Sequence, residues 1–62
     1  MIHIVINDFD FKVYKENIVL SGKAQKTNKG LKITLKGNKE VKTSGRTFYE
    51  LRKNIINKLL KY

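Results

Sequence analysis

The clearest hydrophobic pattern in the chain lies in its last sixteen residues, 47–62, TFYELRKNIINKLLKY. Apolar side chains recur there at steps of three and four residues, at Phe48, Leu51, Ile55, Leu59 and Tyr62. Thr47 followed three residues later by Glu50 forms a capping box, which marks the start of a helix. The pattern therefore predicts one amphipathic helix over about residues 48–61. Because an isolated helix of this length is marginal in water, the preceding chain must cover its apolar side.

The preceding forty residues alternate between apolar and polar positions, which predicts β-strands. The inward positions are Ile2, Ile4, Ile6, Phe9, Phe11, Val13, Ile18, Leu20, Leu31, Ile33 and Leu35. Asn7-Asp8, Lys15-Glu16 and Lys29-Gly30 are the expected two-residue turns between the runs. A single bulged strand is the alternative for the first two runs.

These turns define which residues face one another across the sheet. They pair Ile6 with Phe9, Phe11 with Leu20, Gly22 with Phe9 and Ala24 with Leu35, and every large apolar side chain stays on one face. The last hairpin also places Lys23 opposite Lys36, a like-charge pair that an anionic ligand would relieve. Residues 43–45 are expected to form a short polar link into the helix. The predicted fold class is α+β: a three- or four-stranded antiparallel β-meander over about residues 2–41, packed on one face by a single C-terminal α-helix, in one domain, 1–62.

Charge adds a candidate class of ligand to this fold. The 62 residues include 14 lysines and arginines against 5 acidic residues, a formal net charge of +9. Residues 1–16 hold two lysines against three acids, whereas residues 17–49 hold eight cations against Glu40 alone. Such a field favours polyanions such as DNA or RNA, although it also serves solubility. There is no cysteine and the N-terminal residues lack the pattern of a signal peptide, so the expected location is cytoplasmic.

The strand alternation also indicates where a polyanion would bind. If Leu31, Ile33 and Leu35 point inward, the residues between them point to solvent. The resulting candidate nucleic-acid contacts are Lys12, Lys23, Gln25, Lys32, Thr34 and Lys36 on the sheet, with Lys26 and Lys29 at a hairpin tip. Lysine and glutamine can contact base edges, lysine and threonine can hold phosphates, and a two-stranded ribbon fits the major groove of B-DNA. The alternative is that these side chains only keep a small sheet soluble.

A second candidate surface lies on one flank of the helix. Arg52 falls inside the apolar arc rather than at its edge, and Ile56, Leu60 and Tyr49 widen that arc beyond what one small sheet needs to cover. An exposed remainder would bind a protein partner or a second copy of the chain through Arg52, Ile56 and Leu60. The alternative is that the twist of the sheet buries these residues.

The predicted sheet with its C-terminal helix resembles, in architecture, the AP2 domains of plant transcription factors and the arm-type DNA-binding domains of tyrosine recombinases. That resemblance implies DNA binding through the sheet. One histidine, no cysteine and no glycine-rich phosphate loop give no catalytic residues, metal site or cofactor. The sequence thus predicts a non-enzymatic nucleic-acid-binding protein, with duplex DNA favoured over RNA. The alternative is a small inhibitor or adaptor that binds an acidic protein surface. No membrane partner is expected, because the sheet needs the apolar side of the helix.

Overall fold

A computed structural model describes residues 2–61, which form six β-strands and one α-helix. The elements are β1 (Ile2–Asn7), β2 (Asp10–Lys15), β3 (Ile18–Lys23), β4 (Gln25–Thr27), β5 (Gly30–Gly37), β6 (Glu40–Gly45) and α1 (Phe48–Leu59). All strand pairs are antiparallel and belong to one sheet. The predicted α+β class, with a sheet followed by a C-terminal helix, is therefore confirmed. Within residues 2–61 no helix has the length and apolar character needed to cross a membrane.

The sheet has more strands than the three or four predicted. β5 pairs with β6 along one edge and with both β3 and β4 along the other. β3 and β4 are consecutive segments, separated by Ala24, and both pair with β5 in the same register. The strands thus form five antiparallel rows: β1, β2, β3 with β4, β5 and β6. Residues 43–45, predicted as a polar link, belong to β6. The chain reverses into β6 at Asn38-Lys39, a turn that the sequence prediction missed.

The hairpin turns lie one residue away from their predicted positions, at Asp8-Phe9, Glu16-Asn17 and Asn28-Lys29. Asp8 and Glu16 have φ angles of 57° and 52°, and a positive φ at the first turn residue alone matches a type II′ turn. Each register therefore differs from the prediction by two residues. Because side-chain direction repeats every two residues along a strand, the faces are unchanged even though the predicted partners are wrong.

Three of the predicted cross-strand pairs illustrate this correction. Ile6 is paired with Phe11, not with Phe9, and Phe11 is paired on its other side with Gly22, not with Leu20. Leu35 is paired with Val41 on β6, and the register of β3 and β4 against β5 brings Gly22, not Ala24, to its other side. All of these positions still belong to the face that packs against the helix.

The two ends of α1 are held by side chains. Thr47 Oγ1 accepts a hydrogen bond from Glu50 N at 3.2 Å, so the predicted N-cap is confirmed. Glu50 Oε2 accepts from Arg46 N at 2.9 Å, one residue before the cap. At the other end Lys15 Nζ donates to the carbonyl oxygen of Leu59 at 2.5 Å, which places a cation at the negative end of the helix dipole.

The core lies between α1 and one face of the sheet, called here the covered face. Its buried residues are Phe11, Val13, Leu20, Ala24, Leu31, Ile33, Leu35, Val41, Leu51, Ile55 and Leu59. Phe48 packs against Phe9 and Phe11, with ring centroids 5.6 and 6.0 Å apart. Gly45 lets β6 approach the helix, because a Cβ atom there would lie 2.6 Å from Leu51 N. Tyr62, predicted in the apolar stripe, lies outside the described residues.

Candidate nucleic-acid interface

The opposite face of the sheet has no helix over it and is called here the open face. Its side chains alternate with the core residues along every strand. They are His3, Val5, Asn7, Asp10, Lys12, Tyr14, Val19, Ser21, Lys23, Gln25, Thr27, Lys32, Thr34, Lys36, Glu40, Lys42 and Ser44. All are exposed except Thr34, which is half-buried. Five lysines against two acids make this face basic.

The structure brings together most of the predicted nucleic-acid contacts. Six of the eight lie on the open face. Five of these six line one shallow depression of about 290 Å³ between β3, β4 and β5: Lys23, Gln25, Lys32, Thr34 and Lys36. Lys12, the sixth, lies in a neighbouring depression on the same face.

Lys26 and Lys29 do not belong to this cluster. Lys26 is paired with Leu31 of the core and holds its Nζ 5.8 Å from the ring centroid of Phe9, so it lies on the covered side. Strand alternation explains this position, since Lys26 shares its parity with the buried Ala24. Lys29 is exposed in the turn, where its backbone N donates to Thr27 Oγ1 at 3.2 Å. Lys26 and Lys29 are thus near the hairpin tip, where the sequence analysis expected them, but Lys26 lies on the opposite side of the sheet from the other candidate contacts.

The predicted pair of Lys23 and Lys36 is wrong. Ser21, not Lys23, is opposite Lys36, and Gln25 is opposite Lys32. On its other side Lys23 is paired with Asp10 of β2. Lysines on the open face are therefore interleaved with neutral and acidic side chains, which lowers their mutual repulsion. The attraction for an anion has to come from the summed charge of the face and not from one strained pair.

β6 adds residues that the sequence analysis missed. Lys42 lies on the open face opposite Thr34, and its Nζ is 3.6 Å from Glu40 Oε2. Both side chains of this ion pair are largely exposed, so water and salt screen it strongly. The alternation of Val41 and Thr43 with Lys42 and Ser44 is the signal that could have revealed this strand.

The open face has two halves of different character. The basic half comprises Lys23, Gln25, Lys32, Thr34, Lys36 and Lys42, on β3 to β6. The mixed half, on β1 to β3, carries a second depression of about 580 Å³ lined by Val5, Asn7, Asp10, Lys12, Ser21 and Lys23 and by Phe11 and Gly22 of the strand backbones. Val5, Tyr14 and Val19 expose large apolar side chains in this half. Lys23 borders both depressions and joins the two halves.

The predicted partner surface on the helix flank is partly exposed. Leu60 is 65% exposed and Tyr49 is 71% exposed, while Ile56 is half-buried. Arg52 is exposed and forms no ion pair with any residue in 2–61. The twist of the sheet thus leaves Leu60 and Tyr49 uncovered.

Comparison with known proteins gives no matching family model, no similar curated protein and no matching solved structure. The architectural resemblance to AP2 and arm-type domains therefore gains no support from a detectable relative. The candidate function depends on the charge, shape and exposure of the open face and of the helix flank.

Proposed function

We propose that this protein is a non-enzymatic nucleic-acid-binding protein and that it holds duplex DNA on the basic half of the open face. One observation carries the proposal. Lys23, Lys32 and Lys36 line one depression together with Gln25 and Thr34, and no acidic side chain lines it. Lysine and threonine are suited to phosphate oxygens, and lysine and glutamine can also contact base edges.

The dimensions of the basic half support duplex DNA. The axes of its outer rows, β3 with β4 and β6, lie about 10 Å apart at the usual spacing between strands, and two adjacent rows such as β5 and β6 form a two-stranded ribbon of the kind that the major groove admits. The major groove of B-DNA is about 12 Å wide. The major groove of A-form RNA is deep and narrow, so a sheet of this width would not enter it. Because α1 packs on the covered face, it leaves this approach free.

Contacts to phosphate would provide most of the affinity. The formal net charge of +9 favours association with any polyanion over long distances. The lysines of the open face are exposed, so they can displace condensed counterions from the duplex. With Gln25 as the main group suited to base edges, we expect strong dependence on salt and weak dependence on DNA sequence.

The helix flank supports a second candidate function. Leu60 and Tyr49 expose most of their apolar surface beside Arg52, which has no carboxylate partner in residues 2–61. The apolar side chains of a partner protein would cover Leu60 and Tyr49, and its acidic side chains would pair with Arg52. In this case the protein is a small inhibitor or adaptor, and the lysines of the open face serve solubility.

Two triple variants with the same charge test the proposal. The first replaces Lys23, Lys32 and Lys36 by Gln on the open face. The second replaces Lys53 and Lys58 on the exposed side of α1, and Lys61 just beyond its end, by Gln. Each removes three positive charges. We expect the first to reduce the slope of log K against log salt by about three units, because each lost phosphate contact removes about one. The second should weaken binding only through the reduced long-range attraction.

The measurement is the fluorescence anisotropy of a labelled duplex between 50 and 200 mM salt. Equal weakening by both triple variants would mean that net charge alone drives binding. Normal binding by the open-face variant and failure of the helix variant would move the contact to α1. If no form binds DNA at low salt, and Arg52→Ala or Leu60→Ser abolishes binding to an acidic protein, the adaptor function replaces the one proposed.

A further inference from the structure

The depression in the mixed half has the size of a ligand site. Its volume of about 580 Å³ is within the range of roughly 300 to 1,000 Å³ that is usual for small-molecule pockets. Val5 contributes an apolar side chain to its lining, and Lys12 and Lys23 also line it. Lys23 also lines the depression of the basic half, so a polyanion held there by Lys23 lies next to this second depression.

An acidic residue in this depression is at odds with pure phosphate binding. Asp10 is exposed and lies between Asn7 on β1 and Lys23 on β3. Its carboxylate forms no hydrogen bond or ion pair within residues 2–61, although Lys23 is opposite. A free carboxylate repels phosphate, but it is a strong acceptor for the N–H groups of a nucleobase.

Apolar side chains are exposed in and next to this depression: Val5 lines it, while Tyr14 and Val19 lie in the neighbouring row of cross-strand partners. Val5, Tyr14 and Val19 are 54%, 39% and 49% exposed on a face that otherwise carries polar and charged groups. Phosphates make no favourable contact with such surface, whereas the faces of unstacked bases pack on aromatic and apolar side chains. The mixed half therefore fits bases, and the basic half fits the backbone of a duplex.

We propose that this depression holds one unpaired base next to the duplex on the basic half, and that it favours guanine. The inference rests on the proposed DNA binding. Val5 would contact the face of the base, and Lys12 and Lys23 would hold the adjoining phosphates. Asp10 would accept hydrogen bonds from the guanine edge, which presents two adjacent N–H donors where cytosine and adenine present one amino group.

The test compares a blunt duplex with the same duplex bearing a one-nucleotide overhang of dG, dC, dA or dT. We expect the dG overhang to bind at least about fivefold more tightly than the blunt end, the lower limit for a good bidentate contact. Asp10→Asn should abolish this difference. Glu40→Gln is the matched control, because it removes one negative charge from the same face but lies outside the depression.

Each result has a separate meaning. Equal binding of blunt and overhanging duplexes overturns the base pocket and leaves DNA binding intact. Absence of binding to every duplex at 50 mM salt overturns the proposed function itself. If Asp10→Asn still prefers the dG overhang, the contact assigned to Asp10 is wrong. If Glu40→Gln also loses the dG preference, that preference comes from the negative charge of the face and not from a contact with Asp10. Free dGMP, added as competitor, should not displace the overhanging duplex at equal concentration; displacement would identify a site for free nucleotides instead.

Discussion

The two faces of β5 differ completely although they share one strand. Leu31, Ile33 and Leu35 are buried beneath α1, while Lys32 and Lys36 are exposed and Thr34 half-buried on the open face. Folding requires the first set, because a shift by one residue would expose it to water. Folding places no such demand on the second set. The composition of the open face is therefore free to serve binding or solubility, and that is where evidence for function should be sought.

The same division applies to charge. No charged or polar side chain is buried among residues 2–61, so the net positive charge lies at the surface: on the open face, in the turns, on the outer side of α1 and, at Lys15 and Lys26, on the covered side. Stability then depends on apolar packing, and binding depends on exposed cations. Substitutions on the two faces should consequently separate the two properties.

The largest expected effect is on the covered face. Leu51 is fully buried at the centre of the helix stripe, and Leu51→Ala should lower the free energy of unfolding by about 3 to 5 kcal/mol. A domain of this size is marginally stable, so the variant should be largely unfolded near room temperature. Val19→Ala on the open face is the control and should cost less than about 1 kcal/mol. The measurement is the urea midpoint of unfolding of each variant. Similar midpoints for both variants would contradict the packing of α1 on this face.

Salt should affect the open face strongly. If about five phosphates are neutralised, log K should fall with a slope near −4 to −5. Raising salt from 50 to 200 mM then weakens DNA binding by about 250- to 1,000-fold. The urea midpoint should change little over the same range, because the ion pair of Glu40 and Lys42 is exposed. A flat binding response would favour the adaptor function.

The hydrophobic pattern was sufficient for the architecture but not for the register. Both predicted and observed registers keep Phe11, Val13 and Leu20 on the covered face, because a slip of two residues preserves side-chain direction. The difference is decided in the turns, where Asp8 and Glu16 adopt positive φ. Neither residue is a glycine, so composition alone gave no signal for the exact turn position.

In the candidate site, too, the sequence predicted which face a residue lies on better than which residues are neighbours. Alternation alone placed Lys12, Lys32 and Lys36 correctly on the open face, because it depends only on parity. β6 was missed because Val41 is its one large apolar residue, and its other inward positions, Thr43 and Gly45, are small or polar. Gly45 is explained only by the close approach of the helix, which is a tertiary contact that no local pattern reveals.

The smallest expected effects come from the same substitution, threonine to alanine, at two positions: the N-cap of α1 and the open face of β5. Thr47→Ala removes the hydroxyl that accepts from Glu50 N, and it should lower the free energy of unfolding by about 1 kcal/mol. Its DNA affinity and salt slope should match those of the parent, because Thr47 lies outside the open face. Thr34→Ala removes a hydroxyl from the basic depression, and it should weaken DNA binding while changing stability by no more than about 0.5 kcal/mol.

Urea unfolding and anisotropy on both threonine variants make the comparison complete. If Thr47→Ala leaves the unfolding midpoint unchanged, the cap contributes nothing measurable to α1. If it weakens DNA binding as much as Thr34→Ala does, the start of the helix belongs to the binding surface. The separation of a folding face from a binding face would then fail at Arg46 and Thr47, where the loop after β6 joins the sheet to the helix.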